Sequence, residues 1–284
     1  MPRSVIICAD DLGLSPAVND GIIEAAANGR ISAASAMVNL PSWPAAARSW
    51  RHFVLPGHGA PAPSLGLHLN LTMGPPLSDL RAVTVRDQLP PLGFWLRHAM
   101  GSIAMVAALQ SEIEAQLDAF EAAIGHAPSH IDGHQHVQVL PPVATALVRV
   151  MQARGLDASL WVRNSADTTR RILRRGGQTR KALAVKLLAR GFAARLSRAG
   201  IVSNDGFAGF SAFDPTLPYG QAFATFLIAP GPRHLIMCHP GYVDDELRVR
   251  DHVTATRPLE LAFLLSNQFE DMLGAHEVQR AERF

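Results

Sequence analysis

Ionisable side chains occupy every second position of the segment HIDGHQHV, residues 130–137: His130, Asp132, His134 and His136. Alternate residues of a β-strand face the same side, so these four would share one face if a strand ran through the segment. Gly133 and a glutamine interrupt the apolar side, and we therefore expect the strand to end near Gly133, with the last two histidines on the following loop. An H-x-H step can supply one or two imidazoles to a metal ion, and Asp132 could hold a ring by its second nitrogen.

Two adjacent carboxylates, Asp10 and Asp11, follow the apolar run SVIICA at residues 4–9. They repel each other unless a positive charge lies beside them, and a divalent cation is the simplest such charge. One of them can then bind the metal while the other remains free as a base. The alternative interpretation is that the acidic pair only precedes a helix, whose amino end favours negative charge.

Two further histidines stand in distinctive contexts. His68 lies in GLHLNLT (66–72) between two leucines, where a histidine considered alone is more often a buried core residue. Together with an aspartate and a histidine of the H-x-H step, it would complete an open three-ligand site that leaves positions for water and substrate. His239 in MCHPGY (237–242) could protonate a leaving group or stabilise an oxyanion, or it could be an ordinary turn residue.

The elements that position these residues alternate along the chain. We predict strands at 4–9, 31–39, 64–72, 129–133, 158–164 and 233–241, and helices at 16–29, 43–53, 104–125 and 141–155. This alternation predicts a parallel sheet with helices outside it, and the length of 284 residues fits a single α/β barrel domain spanning 1–284. The Gly/Pro-rich segment 55–64 is expected to be a loop. Polar residues fall at or just after the carboxyl ends of the predicted strands, where such folds build their sites: Asp10, Asp11, Asn39, His68, His134, Arg163, Asn164 and His239.

Composition narrows the class of protein. The net charge of +2 provides no global field for nucleic acid, and we expect no nucleic-acid partner. No apolar run approaches the roughly 20 residues that span a bilayer, and the apolar run before Asp10 is too short for a signal-peptide core. Two cysteines, Cys8 and Cys238, are too few for a disulfide framework, so both are expected to be buried and reduced. A cytoplasmic location is the default expectation.

A basic stretch runs from Arg163 to Arg198, with eleven Arg or Lys residues against one acid, Asp167. We predict a basic helical insertion around 165–200, with apolar anchors at Leu183, Leu187 and Leu188. Three interpretations remain open: a solvated outer helix, contact with a membrane surface or lipid, and binding to an anionic polymer. The Phe-rich segment 203–213 could be a lid or a packed loop.

Five segments resemble the YdjC-like carbohydrate deacetylases, in that family's order along nearly the whole chain: ADDLGLSPAVNDGI, SAASAMVN, GLHLNLT, HIDGHQH and CHPGYVD. The resemblance implies a (β/α)-barrel-type fold, TIM-barrel-like with seven strands or distorted, and removal of acetyl groups from N-acetylated sugars. It implies that Asp11, His68 and His134 hold one divalent cation. Asp10 would be the general base and His239 the acid.

Further residues are expected to orient the site or contact substrate: Asp132, His136, Asn39, Arg163 and Asp205. Of these, Asp205 together with Asn204 resembles a polar pair near that family's active site. Magnesium and zinc are the cations most compatible with Asp11, His68 and His134 as ligands, and manganese or cobalt also fit. The substrate could be a chitin-type oligosaccharide or an N-acetylglucosaminyl lipid, and the basic helix slightly favours the lipid, with the protein peripheral to the inner membrane face. A homodimer is expected from family habit. One position departs from the pattern, because Gln138 stands where the family often has a further histidine.

Two other functions are compatible with parts of the sequence. The triplet His130-Ile131-Asp132 matches the H-x-D half of a non-haem iron oxygenase triad, although such enzymes usually have all-β barrels. A non-catalytic protein that binds a lipid or anionic partner through the basic helix is the other alternative. Retention of the whole set of aspartates and histidines argues against it.

Overall fold

The computed structural model describes residues 3–53, 63–80, 84, 86–98 and 102–281. Within these residues the strands are β1 (Arg3–Leu12), β2 (Ala33–Ala36), β3 (Ser64–Leu69), β4 (His130–Gly133), β5 (Trp161–Val162), β6 (Val202–Ser203), β7 (Gly206–Ala208), β8 (His234–Cys238) and β9 (Val278–Arg280). The helices are α1 (Pro16–Ala27), α2 (Trp43–Phe53), α3 (Leu92–Arg97), α4 (Ile103–Ile124), α5 (Pro141–Ala153), α6 (Thr169–Arg175), α7 (Thr179–Leu188), α8 (Phe192–Arg198), α9 (Tyr219–Phe226), α10 (Asp245–Arg250), α11 (Arg257–Leu265) and α12 (Asn267–Ala275). A 3-10 turn, His134–Val139, follows β4.

The strands form one parallel sheet that curls into a barrel. Their order is β6-β5-β4-β3-β2-β1-β8-β7, and β9 pairs with β1. The two ends of this order, β6 and β7, are separated in the chain only by Asn204 and Asp205, so the sheet must bend round to bring its edges together. The Asn204 amide donates to the carbonyls of Asn164, which follows β5, at 2.8 Å and of Gly206 in β7 at 3.1 Å, and so ties β7 to the end of β5. The predicted (β/α)-barrel-type fold is confirmed.

Most predicted elements are present with shifted ends. Helix α1 begins as predicted, because the Ser15 hydroxyl accepts a hydrogen bond from the backbone N–H of Val18. The first strand is longer than predicted and continues through Asp10 and Asp11 to Leu12. Strands β6, β7 and β9 were not predicted, because two or three residues are too few to show a period. The predicted loop at 55–64 lies outside the described residues except for its last two positions.

Each strand of the barrel has an outer and an inner row of side chains. In β1, Val5, Ile7 and Ala9 pack in the large cluster beneath the helices, whereas Ile6 and Cys8 belong to a second cluster inside the barrel. Trp161, Phe207, Leu235 and Met237 share this inner cluster. The barrel interior is thus a packed apolar core in its lower layers. Continuing each inner row toward the carboxyl ends of the strands leads to polar residues.

Both cysteines are buried and unpaired, as predicted. None of the helices in the described residues combines the length and the apolarity that crossing a bilayer requires.

A buried histidine at the opposite end of the barrel makes stability sensitive to acid. His234 begins β8; its Nδ1 accepts from the Gly231 N–H at 3.3 Å, and its Nε2 donates to the Phe226 carbonyl at 3.2 Å. Burial, aided by the charge of Arg175, lowers the pKa of His234 to about 3. The neutral ring is therefore favoured in the folded protein, and its contribution to stability is complete above the unfolded pKa of about 6.5 and declines as the pH falls toward the folded value.

We expect His234→Gln to flatten the pH dependence of the free energy of unfolding. Between about pH 6.5 and 4 the histidine contributes a loss on the order of 3 kcal/mol, and glutamine cannot take up the proton that causes it. Urea denaturation at a series of pH values measures the slope, with the exposed His126→Gln as the matched control. Equal slopes in wild type and His234→Gln would show that His234 is not the titrating group.

Candidate active site

A bulge in β1 lets two neighbouring carboxylates reach the same end of the barrel. The register between β1 and β2 shifts between Ala9 and Leu12, and Asp11 has a left-handed backbone with φ of 75°. In a regular strand Asp10 and Asp11 would face opposite sides, but an inserted residue re-aims the side chains around it. Both carboxylates consequently contact residues from the neighbouring inner rows.

Asp11, His68 and His134 converge at the mouth of the barrel. The Oδ1 atom of Asp11 lies 3.3 Å from His68 Nε2 and 3.1 Å from His134 Nδ1. One potential ligand atom from each of the three side chains lies within 4.8 Å of the others. All three side chains are buried, and His134 Nε2 has no hydrogen-bond partner among the described residues. One carboxylate, two imidazoles and an unsatisfied nitrogen fit a divalent cation with open coordination positions.

A carboxylate behind His68 orients this ring. Asp132 Oδ1 lies 2.7 Å from His68 Nδ1, and the Ser35 hydroxyl lies 3.1 Å from the same nitrogen. Burial lowers the pKa of His68, but the carboxylates of Asp132, Asp10 and Asp11 outweigh burial and raise it to about 10. These carboxylates therefore favour a positive charge at His68, which a bound cation could supply in place of the proton. A carboxylate holding the far nitrogen of a metal-binding imidazole is a common support in metal sites.

Arg163 clamps the two carboxylates that flank His68. Its Nη1 and Nη2 atoms donate to the two oxygens of Asp10, each at 2.6 Å, and Nη2 also lies 2.5 Å from Asp132 Oδ2. The guanidinium is fully buried, and the Ser35 hydroxyl donates to Asp10 Oδ1 at 3.3 Å. This planar bidentate pairing fixes the orientation of Asp10. The prediction from sequence placed Arg163 near the site, and the structure brings it into direct contact with Asp10.

Two other groups of side chains could also hold a metal ion: Asp10 with His68 and Asp132, and Cys8 with His130 and Asp132. Arg163 occupies both oxygens of Asp10 and also pairs with Asp132, whereas Asp11 pairs with an arginine through one oxygen only. In the second group, burial raises the pKa of the Cys8 thiol well above its usual range, which disfavours the thiolate that binds metals. The group of Asp11, His68 and His134 is the better candidate.

Arg257 was not identified from the sequence. Its Nη2 atom donates to Asp11 Oδ2 at 2.7 Å and to Asp251 Oδ2 at 2.8 Å, and its Nε donates to the Val253 carbonyl. Burial alone would raise the pKa of Asp11, but Arg257 and the two imidazoles hold it well below its usual range. One oxygen of Asp11 is thereby held by Arg257 while the other faces the imidazoles. The sequence analysis missed Arg257 because it lies 246 residues from Asp11, and no local pattern indicates a contact over that separation.

His239 lines the same cavity as His134 and His136. It directly follows β8, its backbone N–H donates to Glu260 Oε2 at 2.7 Å, and its ring contacts the edge of Phe213. Burial, only partly offset by Asp11 and Asp10, lowers the pKa of His239 to about 4. The ring is therefore neutral at neutral pH in the free protein. Burial also raises the pKa of Glu260 to about 7, and this residue too was missed in the sequence.

The rest of the H-x-H segment folds back over the inner core. His136 has a left-handed backbone, and its ring makes edge contacts with Phe207 and Phe210. Gln138, the departure from the family pattern, is buried and donates to the Arg163 carbonyl and to the Ser165 hydroxyl. His136 reaches the cavity, and Gln138 ties the 3-10 turn to the end of β5.

Asn39 and Asp205 lie away from this cavity. The Asn39 amide donates to the carbonyls of Met73 at 3.1 Å and Pro75 at 2.9 Å, and so shapes the loop after β3. Asp205 accepts a hydrogen bond from the Arg233 N–H, which precedes β8 at the other end of the barrel from His239. The structure does not bring either residue to the other predicted site residues.

A cavity of about 340 Å³ connects the metal-site candidates with His239. The polar residues of its lining are Asp10, Asp11, His68, His134, Gln135, His136, Lys181, His239, Asp251, His252 and Arg257. The predicted basic insertion forms α6, α7 and α8, and α7 lines the cavity instead of lying wholly outside the barrel. Of its three predicted apolar anchors, Leu188 lines the cavity, Leu183 is half-buried, and Leu187 is 70% exposed.

Comparison with known proteins identifies the class. The YdjC-like protein family matches residues 4–275, and the chain therefore belongs to this family. It is 31% identical over 263 residues to a human carbohydrate deacetylase, covering 84% of this chain and 75% of the relative. It is 29% identical over 260 residues to a chitooligosaccharide deacetylase of Escherichia fergusonii, covering 87% and 85%. The crystal structure of an Enterococcus faecalis protein, to which cellobiose-phosphate cleavage is ascribed provisionally, has the same fold, with a TM-score of 0.72, 21% identity, and coverage of 99% and 97%.

Proposed function

We propose that this protein is a metal-dependent hydrolase that removes the acetyl group from an N-acetylated amino sugar. The observation that carries the proposal is the convergence of Asp11, His68 and His134 beside the Asp10–Arg163 pair in one cavity. The deacetylase names of its relatives support the same reaction. Magnesium or zinc is the proposed cation, with manganese and cobalt compatible.

Amide hydrolysis needs a base that activates the attacking water and an acid that protonates the departing nitrogen, and different residues would fill these two roles. A bound divalent cation would supply a water of lowered pKa and polarise the acetamide carbonyl. Asp10 would accept the proton of the attacking water, while Arg163 keeps its carboxylate in place. His239 is neutral in the free protein, so it would first have to take up a proton that the reaction releases, and would then deliver it to the departing nitrogen.

The kind of substrate and a contact with the membrane are further parts of the same proposal. Chitin-type oligosaccharides and N-acetylglucosaminyl lipids both carry the required acetamide. Apart from Lys181, which lines the cavity, five exposed cations between Arg163 and Arg198 form no ion pair among the described residues: Arg170, Arg174, Arg180, Arg190 and Arg198. They have no catalytic role in this proposal and are available for contact with a membrane surface. A cytoplasmic location and a homodimer remain predictions from the sequence.

The oxygenase alternative gains no support from the arrangement around His130. This ring is stacked on Trp161 with centroids 4.2 Å apart, in the layer beneath the cavity, and it does not line the cavity. The H-x-D pair is thus not exposed to a substrate in the described structure. Replacing Asp10 with Asn tests the non-catalytic alternative, which predicts no change in function.

Metal removal and substrate screening test the proposal together. The purified protein would be treated with a chelator and then supplied singly with magnesium, zinc, manganese, cobalt or iron(II). Each sample would be incubated with N,N′-diacetylchitobiose and with alkyl N-acetylglucosaminides, and released acetate would be measured. We expect no acetate from the chelated protein and recovery with at least one cation. Acetate release that chelation leaves unchanged would refute metal dependence, and oxygen consumption with iron(II) would favour the oxygenase.

A further inference from the structure

The ring of the proposed acid is held differently from the rings of the proposed metal ligands. Among the described residues the His239 ring makes no hydrogen bond, and it contacts the edge of the Phe213 ring with centroids 5.5 Å apart. The His68 ring, in contrast, is held by Asp132 at 2.7 Å. An acid must stay within hydrogen-bond reach of the atom that it protonates. The position of the His239 ring therefore depends on how its backbone is held.

The turn His239-Pro240-Gly241 is attached to the first turn of helix α11. The His239 N–H donates to Glu260 Oε2 at 2.7 Å, and the Gly241 N–H donates to the Arg257 carbonyl at 3.3 Å. Pro240, between them, has no N–H to donate. Of the two acceptors only Glu260 uses its side chain, so a substitution can remove this attachment without altering the backbone.

The same turn of α11 also reaches the metal-site candidates. Arg257 and Glu260 are three positions apart, so they lie on one side of the helix. The Arg257 guanidinium donates to Asp11 Oδ2 at 2.7 Å, while the Glu260 carboxyl accepts from His239. The two side chains are buried, with exposed fractions of 0% and 1%. One turn of α11 consequently contacts both a proposed metal ligand and the proposed acid.

The acceptor at His239 is a carboxyl group, although burial opposes its charge. Burial raises the pKa of Glu260 to about 7, and the His239 N–H and neighbouring groups only partly offset this effect. The titratable groups that act on the carboxyl come from four elements: Arg257 of α11, Tyr219 of α9, Cys238 of β8 and Asp10 of β1. An ionised acceptor holds an N–H group more strongly than a neutral one. A firm hold on the His239 backbone is what this buried carboxylate supplies.

We propose that Glu260 is a positioning residue for His239: its carboxyl group holds the backbone N–H and thereby places the ring at the leaving-group side of the active site. Glu260 does not line the cavity, so it acts through His239 and not on the substrate. This inference rests on the proposed deacetylase function and assigns a new residue to its acid step.

Two substitutions separate the hydrogen bond from the rest of the side chain. Glu260→Gln keeps an oxygen that can accept the His239 N–H, whereas Glu260→Met has a similar length and only a weak acceptor. The assay is acetate release from N,N′-diacetylchitobiose or an alkyl N-acetylglucosaminide, whichever the wild type hydrolyses faster. We expect Glu260→Met to lower kcat about 100-fold, as a displacement of about 1 Å can do. KM and metal affinity should be unchanged, and Glu260→Gln should retain most of kcat. Glu114→Gln and Glu114→Met, at an exposed position of α4, are the matched controls.

A substrate that needs no acid distinguishes a positioning role from a general effect on the fold. 4-Nitrophenyl acetate releases a stable phenolate anion without protonation, so Glu260→Met should hydrolyse this ester at close to the wild-type rate. A parallel loss of both reactions, full kcat in Glu260→Met, or the same loss of kcat in Glu260→Gln as in Glu260→Met would overturn the inference.

Nuclear magnetic resonance tests the contact without turnover. Since the pKa of Glu260 is about 7, the backbone amide resonance of His239 should shift with a midpoint near pH 7 in the wild type but not in Glu260→Gln. An amide resonance that does not titrate in the wild type would overturn the inference even if Glu260→Met fails to fold. If the resonance titrates but the wild type releases no acetate from any substrate, the hydrogen bond is supported and the proposed function is refuted.

Discussion

Asp11→Asn is expected to lower metal affinity by at least about 100-fold and kcat/KM by about 1,000-fold, because the replacement removes the only carboxylate of the proposed ligand set. Asparagine is the informative substitution at this position. Asp11 has a left-handed backbone with φ of 75°, which asparagine tolerates better than other residues of its size. An amide oxygen can still accept the hydrogen bond from Arg257, so the fold should be retained.

The measurement is calorimetric titration of the metal-free protein with zinc and with magnesium, followed by acetate release. Asp20→Asn serves as the matched control, because Asp20 is exposed on α1 and the same chemical change there should alter neither quantity. A metal-free Asp11→Asn protein that binds both cations as tightly as the wild type would rule out Asp11 as a ligand.

Asp10→Asn is expected to lower kcat by about 1,000- to 10,000-fold while metal affinity changes by only a few fold. The effect is at the upper end of what one positioned acid or base contributes, because an amide nitrogen and oxygen cannot take up the proton of the attacking water. Asparagine has nearly the same shape as aspartate and can keep one of the two contacts with Arg163. The loss should therefore fall on kcat rather than on folding.

The same titration and assay decide between three roles for Asp10. Loss of turnover with the metal still bound supports the general base. A parallel loss of metal affinity would instead favour the alternative grouping in which Asp10, His68 and Asp132 hold the cation. Unchanged turnover would leave Asp10 without a catalytic role. Absence of turnover in the wild type as well as in Asp10→Asn, with metal and partner binding unchanged, would favour the non-catalytic binding protein.

Local patterns in the sequence were sufficient to predict most of the strands and helices named from it and many of the site residues. The alternation of apolar runs with helical patterns predicted a parallel sheet with helices outside it, because period and length distinguish buried strands from amphipathic helices. The barrel-type closure of this sheet was implied by the resemblance to the YdjC-like family. The end of β4 at Gly133 followed from the interrupted alternation in HIDGHQHV. Since the carboxyl ends of parallel strands share one edge, polar residues at those ends were expected to meet. The structure does bring Asp10, Asp11, His68, His134 and His239 to one cavity.

Strand register and packing between distant segments decided the contacts within the site that the sequence did not predict. The bulge that turns both Asp10 and Asp11 into the site depends on how β1 pairs with β2. No local pattern in the sequence of β1 predicts this bulge. Arg257 meets Asp11 only because the amino end of α11 lies beside the carboxyl end of β1 in the folded chain. Asn39 and Asp205 are also adjacent to strands, but they are used in a loop and at the opposite end of the barrel. The sequence by itself determined which faces and strand ends are polar, because these depend on near neighbours in the chain. Which polar groups touch, and which face of α7 borders the cavity, was decided only by the tertiary structure, because contacts between remote segments are set by strand register and helix packing.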